Sequence, residues 1–120
     1  MFPVSTAFLI FVANGMACDC RSGGWAEVIQ KTEALILHSE SFRVPRDPLG
    51  SGYEAACVRI RFHIDKRGEP INVSIDKSSR NRAIDVAARE TLKKFRFELP
   101  QSDSEGEFAL VFDYPSRDAP

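Results

Sequence analysis

The stretch Val58-Arg59-Ile60-Arg61-Phe62-His63-Ile64-Asp65, continued through Lys66-Arg67-Gly68 into Ile71-Asn72-Val73-Ser74-Ile75-Asp76, decides the fold. Apolar and polar residues alternate in both runs, which is the period of a strand with one buried and one polar face. The turn at residues 65–68 ends in Gly68, which takes positive φ without steric cost, so the two runs are expected to close as an antiparallel hairpin. Pro70 has no N–H and belongs at the start of its strand or on a sheet edge.

Downstream, Ser78 and Ser79 end the hairpin and Asn81 stands where a helix N-cap is needed. Ile84, Ala87, Ala88, Thr91, Leu92 and Phe95 recur at helical spacing, predicting a helix over residues 81–96, with Lys93 and Lys94 at the negative end of its dipole. After a polar run at residues 101–106, Phe108, Leu110 and Phe112 alternate with Ala109, Val111 and Asp113 in a third strand, residues 107–114. Upstream, Trp25, Val28, Ile29, Thr32, Leu35 and Ile36 share one helical face, so a helix is expected over residues 25–37 with Trp25 in the core. Between them, residues 39–52 hold Pro45, Pro48, Gly50 and Gly52 and read as a connector. The expected fold is α+β: a small three-stranded antiparallel sheet (residues 57–65, 70–76 and 107–114) with helices packed on one face, the earlier helix beside the later one. Phe62, Val73, Leu92, Phe95 and Leu110 are its expected core.

Sixteen basic and seventeen acidic residues leave a net charge of −1 over 120 residues. No basic excess exists to neutralise a phosphate backbone or to hold the chain on an anionic membrane, so neither nucleic acid nor a lipid surface is the expected partner. The first seventeen residues carry no charge, hold a short apolar run from Phe8 to Ala13 and end in Gly15-Met16-Ala17. That is the pattern of a signal peptide cut after Ala17, and the run is too short to span a bilayer. The expected organisation is a signal peptide at residues 1–17, a helix and connector at 18–52, a folded domain at 53–115 and a tail at 116–120.

Export permits disulfides. The chain has three cysteines, Cys18, Cys20 and Cys57, so at least one stays free, is lipidated or pairs between molecules. A bridge from Cys18 or Cys20 to Cys57 would tie down the N-terminal segment, and Cys18 as first mature residue is a lipidation candidate. His38 and His63 have no neighbours at metal-ligand spacing, and the Gly pairs at 23–24 and 50–52 lack a phosphate-loop context. No cofactor, metal, catalytic group or small-molecule substrate is expected. Cys18-Asp19-Cys20 is the one reactive feature, able in principle to exchange disulfides or hold a soft metal.

The ordered set Ile64-Asp65, Gly68, Asn72-Val73-Ser74-Ile75, Ser78-Ser79, Ala87-Ala88, Phe95-Arg96-Phe97 and the closing strand at 108–114 resembles the C-terminal domain of the TonB family. Phe95 replaces the usual Trp of the terminal triplet. The resemblance implies a periplasmic, non-enzymatic interaction module that binds an outer-membrane TonB-dependent receptor or another envelope protein in support of energy-dependent transmembrane transport. Full transducers also carry a membrane anchor and a Pro-rich spacer. Residues 39–52 are too short to cross the periplasm at about 3.1 Å per residue, so an accessory module, free or lipid-anchored at Cys18, is the expected form.

A sheet of this kind leaves an edge to which an extended peptide can add. The strand expected to receive it is Phe108, Ala109, Leu110, Val111, Phe112 and Asp113, with Val44 and Pro45 as a second candidate contact and a homodimer through an edge strand as a further use. Alternation does not say which parity of that strand turns its N–H groups outward. The competing reading is an exported thiol protein acting through Cys18 and Cys20.

Overall fold

A computed structural model describes residues 19–44, 55–99 and 106–114. The decisive hairpin forms as its alternation requires: β2 (Ala56–Ile64) pairs antiparallel with β3 (Pro70–Lys77), and Pro70 is the first residue of its strand. Val58, Ile60, Phe62 and Ile64 are all buried on one face of β2. The strand β5 (Phe108–Tyr114) pairs antiparallel with β2 on its other side, giving the sheet order β3-β2-β5. Phe108, Leu110 and Phe112 stand opposite Phe62, Ile60 and Val58 and extend the same buried face. The helix α2 (Arg82–Leu92) covers that face with Ile84, Ala88 and Leu92. The α+β class with its three-stranded antiparallel sheet is as the alternation predicts.

The turn is organised by Asp65. Its Oδ1 accepts the N–H groups of Arg67 and Glu69 at 2.8 and 2.9 Å, and Gly68 sits at φ 82°. A Cβ on Gly68 would collide with the carbonyl oxygen of Phe97, whose N–H donates to the Gly68 carbonyl at 2.8 Å. The hydrogen bond from Glu69 leads the causes that hold the Asp65 carboxyl below its usual range, joined by the N–H of Arg67 and the nearby Arg67 and Arg96 charges. A carboxylate lowered on folding stabilises the fold above its unfolded pKa, and that contribution is lost as pH falls through the lower folded value. Asp65→Asn keeps an oxygen acceptor but loses the charge. Its thermal midpoint is therefore expected to fall less than the parent's between about pH 6 and pH 3. Equal falls in both proteins would show that Asp65 carries none of the acid sensitivity.

Three elements differ from the sequence expectation. The first helix, α1, stops at Glu33 (Trp25–Glu33), and Ile36–His38 instead form a short strand, β1. The second helix ends at Leu92, and Arg96–Phe97 form β4, paired antiparallel with β1. Phe95 and Phe97 are buried while Arg96 is exposed, which is strand alternation and cannot be met by continuing the helix. Asn81 does cap α2, accepting the N–H of Ile84 at 3.2 Å.

The third difference is in β3. Its register against β2 shifts twice, once between the Arg59 and Ile60 positions and once between Arg61 and His63. Asn72, at φ 54°, lies in the second irregularity. One extra residue on β3 there breaks the alternation of Ile71, Val73 and Ile75. Val73, an expected core residue, is only half-buried against the cluster, and Ile71 is exposed. The other expected core residues, Phe62, Leu92, Phe95 and Leu110, are buried.

Trp25 is half-buried rather than central. Its ring stacks on the Arg59 guanidinium at 4.3 Å, on the face of the sheet away from α2. There Arg59 also donates to the carbonyl of Cys20 at 3.0 Å and pairs with Asp76 at 2.5 Å. The body of α1 runs along β5 instead of beside α2, because its Thr32, Lys31 and the preceding Arg21 all have partners on that strand.

Candidate partner-binding edge

The sheet has two outer strands, and they are not equivalent. The two irregularities twist β3, and such bulges spoil the regular row of donors and acceptors that an added strand needs. Against β2, β5 keeps an unbroken register from Ala56↔Tyr114 to Phe62↔Phe108. Its far side pairs with no other strand among the described residues.

The parity left open by the sequence is now assigned. The Ala109 N–H donates to Thr32 Oγ1 at 3.2 Å, so Ala109 turns its backbone groups away from β2. Alternation puts Val111 and Asp113 on that same outer side, while Phe108, Leu110 and Phe112 bond inward to β2. Thr32 therefore occupies the outer edge at Ala109. Beyond it the edge opens onto a groove of about 270 Å³.

The groove is bordered by α1 on one side and by residues 36–42 on the other. Phe95 and Phe42 form its apolar side, and Phe42 meets Phe112 and Tyr114 edge-on at ring-centroid distances of 5.5 and 6.4 Å. On the opposite side Arg21 donates through both terminal nitrogens to the Asp113 carboxylate at 3.3 and 3.0 Å, a two-point grip that fixes both groups. The outward backbone groups of Val111 and Asp113 face this groove.

Of the residues expected to contact a partner, Val111 and Asp113 present their backbone outward. Ala109 is already bonded to α1, and Phe108, Leu110 and Phe112 carry the strand's attachment to the core. Val44 is half-buried against the core cluster, and Pro45 lies outside the described residues. Arg21 and Phe42 were missed by sequence reasoning. Phe42 had a signal: it is the lone large aromatic in an otherwise polar, Pro- and Gly-rich stretch.

Cys20 and Cys57 form a disulfide with Cα atoms 6.4 Å apart. The bond fastens the segment ahead of α1 to the start of β2, beside the Arg21–Asp113 pair. Cys18 lies outside the described residues.

With this geometry the family match is direct: the C-terminal domain of Gram-negative bacterial TonB proteins matches residues 52–114, more than half of the chain. The chain belongs to the TonB C-terminal family. No curated protein and no solved structure matches it significantly. TonB C-terminal domains are periplasmic, non-catalytic modules that serve transport by contacting outer-membrane receptors, so this is a TonB-like periplasmic domain of that class. The match begins just ahead of β2, so α1, β1 and Phe42 precede the matched residues.

Proposed function

We propose that this TonB C-terminal domain binds an extended segment of an outer-membrane receptor, or of another envelope protein, as a strand added to the outer edge of β5. The observation that carries the reading is the asymmetry of the two edges: β3 is bulged, while β5 is in continuous register and opens onto a groove beyond Ala109. Val111 and Asp113 would supply backbone donors and acceptors, and the strand's inner residues would hold it rigid through the core. A homodimer through this edge would compete for the same groups. Binding by backbone pairing needs no chemistry from side chains, in keeping with a non-catalytic family.

The competing thiol reading has less support, because Cys20 is committed to Cys57 and no second thiol stands beside it among the described residues. Delivery by a signal peptide at residues 1–17 and anchoring at Cys18 remain proposals of sequence, tested by mass spectrometry of the mature N-terminus. Edge addition is tested by calorimetric titration of a receptor-derived extended peptide into the parent and into a variant whose outward donor is removed at Val111. Binding is expected in the first and lost in the second.

A further inference from the structure

Most of the groove wall that is not β5 itself comes from residues 21–42, outside the matched family unit. This segment would touch a bound strand at close quarters, so its chemistry bears on which strand is accepted. Resting on the edge-addition reading, we propose that α1 and the segment after it form a selectivity wall that admits a short extended peptide carrying a basic residue next to an apolar one.

Length is set by α1. Thr32 already occupies the Ala109 donor, and the Lys31 ammonium lies 5.2 Å from the centre of the Phe108 ring. A partner strand can therefore pair only along the Val111–Asp113 end, three residues of β5 of which Val111 and Asp113 turn their backbone groups outward. Successive side chains of that partner point to opposite faces. One parity falls on Phe42 and Phe95, which favours an apolar residue. The other parity falls on the α1 side.

Charge decides what the second parity holds. Among the described residues, four ionisable side chains line the groove: Arg21, Glu33, Glu40 and Asp113. Arg21 is taken by Asp113 in the two-point pair. Glu40 shares a hydrogen bond with His38 at 2.6 Å, which cancels its charge only when the imidazole is protonated. Glu33 has no cation partner among the described residues. The groove is left with an excess of carboxylate, so a lysine or arginine on the bound strand is complementary and an acidic residue is repelled. The groove is open to solvent, which keeps the expected discrimination modest and sensitive to salt.

The test uses three capped hexapeptides that alternate valine with lysine, with glutamine or with glutamate, titrated into the oxidised protein and followed by backbone amide shifts of β5. At low salt the lysine peptide is expected to bind about three- to tenfold more tightly than the glutamate peptide, with glutamine between them, and the difference should shrink in 0.5 M salt. Glu33 is exposed and its side chain has no ion-pair partner among the described residues, so Glu33→Gln should reduce the preference and Glu33→Lys should reverse it. Equal affinity of all three peptides at the β5 amides would overturn the selectivity wall while leaving edge addition standing. If none of the three perturbs β5, edge addition fails and the wall falls with it.

Discussion

Val111→Pro is expected to leave the domain folded and abolish peptide binding, whereas Leu110→Pro is expected to unfold it. The two positions are adjacent, so what separates them is strand parity alone. Leu110 stands opposite Ile60, and both are buried, at 4% and 0% exposure. Proline there removes an N–H that β2 needs, leaving an acceptor unsatisfied at about 1–3 kcal/mol. It also truncates a buried leucine, a further cost of about 2–5 kcal/mol. Together these approach the whole stability of a small domain, about 5–15 kcal/mol. Val111 is half-buried and its N–H points into the groove, so proline costs no inward ladder bond. A bound strand would lose that donor and meet the ring instead. Circular dichroism checks the fold and calorimetry the binding. A folded Val111→Pro domain that binds as well as the parent would show that the partner does not pair with β5.

The second large effect is on stability. Replacing Cys20 and Cys57 together by serine is expected to cost about 4 kcal/mol in chemical denaturation. The bond spans a sequence separation of 37 residues, and closing a loop of that size removes that much chain entropy from the unfolded state. The loss should be visible locally as well. The disulfide holds the start of α1 against the sheet, so the Ala109 amide, capped by Thr32, should exchange faster in the variant. A cost below about 1 kcal/mol with unchanged exchange at Ala109 would mean that α1 is held by its other contacts, chiefly Arg21 on Asp113 and Trp25 on Arg59.

The sheet was legible in the sequence because Val58, Ile60, Phe62 and Ile64 on β2 and Phe108, Leu110 and Phe112 on β5 recur at period two, and that signal survives although Cys57 and Ala109, on the other face, are buried as well. Asn81 was legible because capping is local. The β1–β4 pair was not, because strands of three and two residues exist only through each other. Ile36, read as the last turn of a helix face, joins Phe97 across the fold. The bulge at Asn72 was hidden for a related reason: alternation in residues 71–75 looks regular until the pairing with β2 is known.

The candidate site was legible as a strand but not as an edge. Periodicity identified residues 108–113, yet nothing in it tells that Thr32, seventy-seven positions away, would occupy the Ala109 donor. Nor does spacing place Arg21 on Asp113 or Phe42 on Phe112, since both contacts follow from where the disulfide and the connector carry the chain. Sequence located the row of backbone groups. Only the fold shows which half of the row lacks a strand partner among the described residues.

Amide hydrogen exchange can show whether a partner pairs with the outward-facing half of β5. Exchange would be measured residue by residue on the oxidised protein, alone and saturated with a receptor-derived extended peptide. The Val111 and Asp113 amides are expected to become strongly protected on binding, while Ala109, already bonded to Thr32, changes little. Unchanged exchange at Val111 and Asp113, with protection appearing instead on β3 or along the groove beside Ala83 and Val86 of α2, would contradict that pairing.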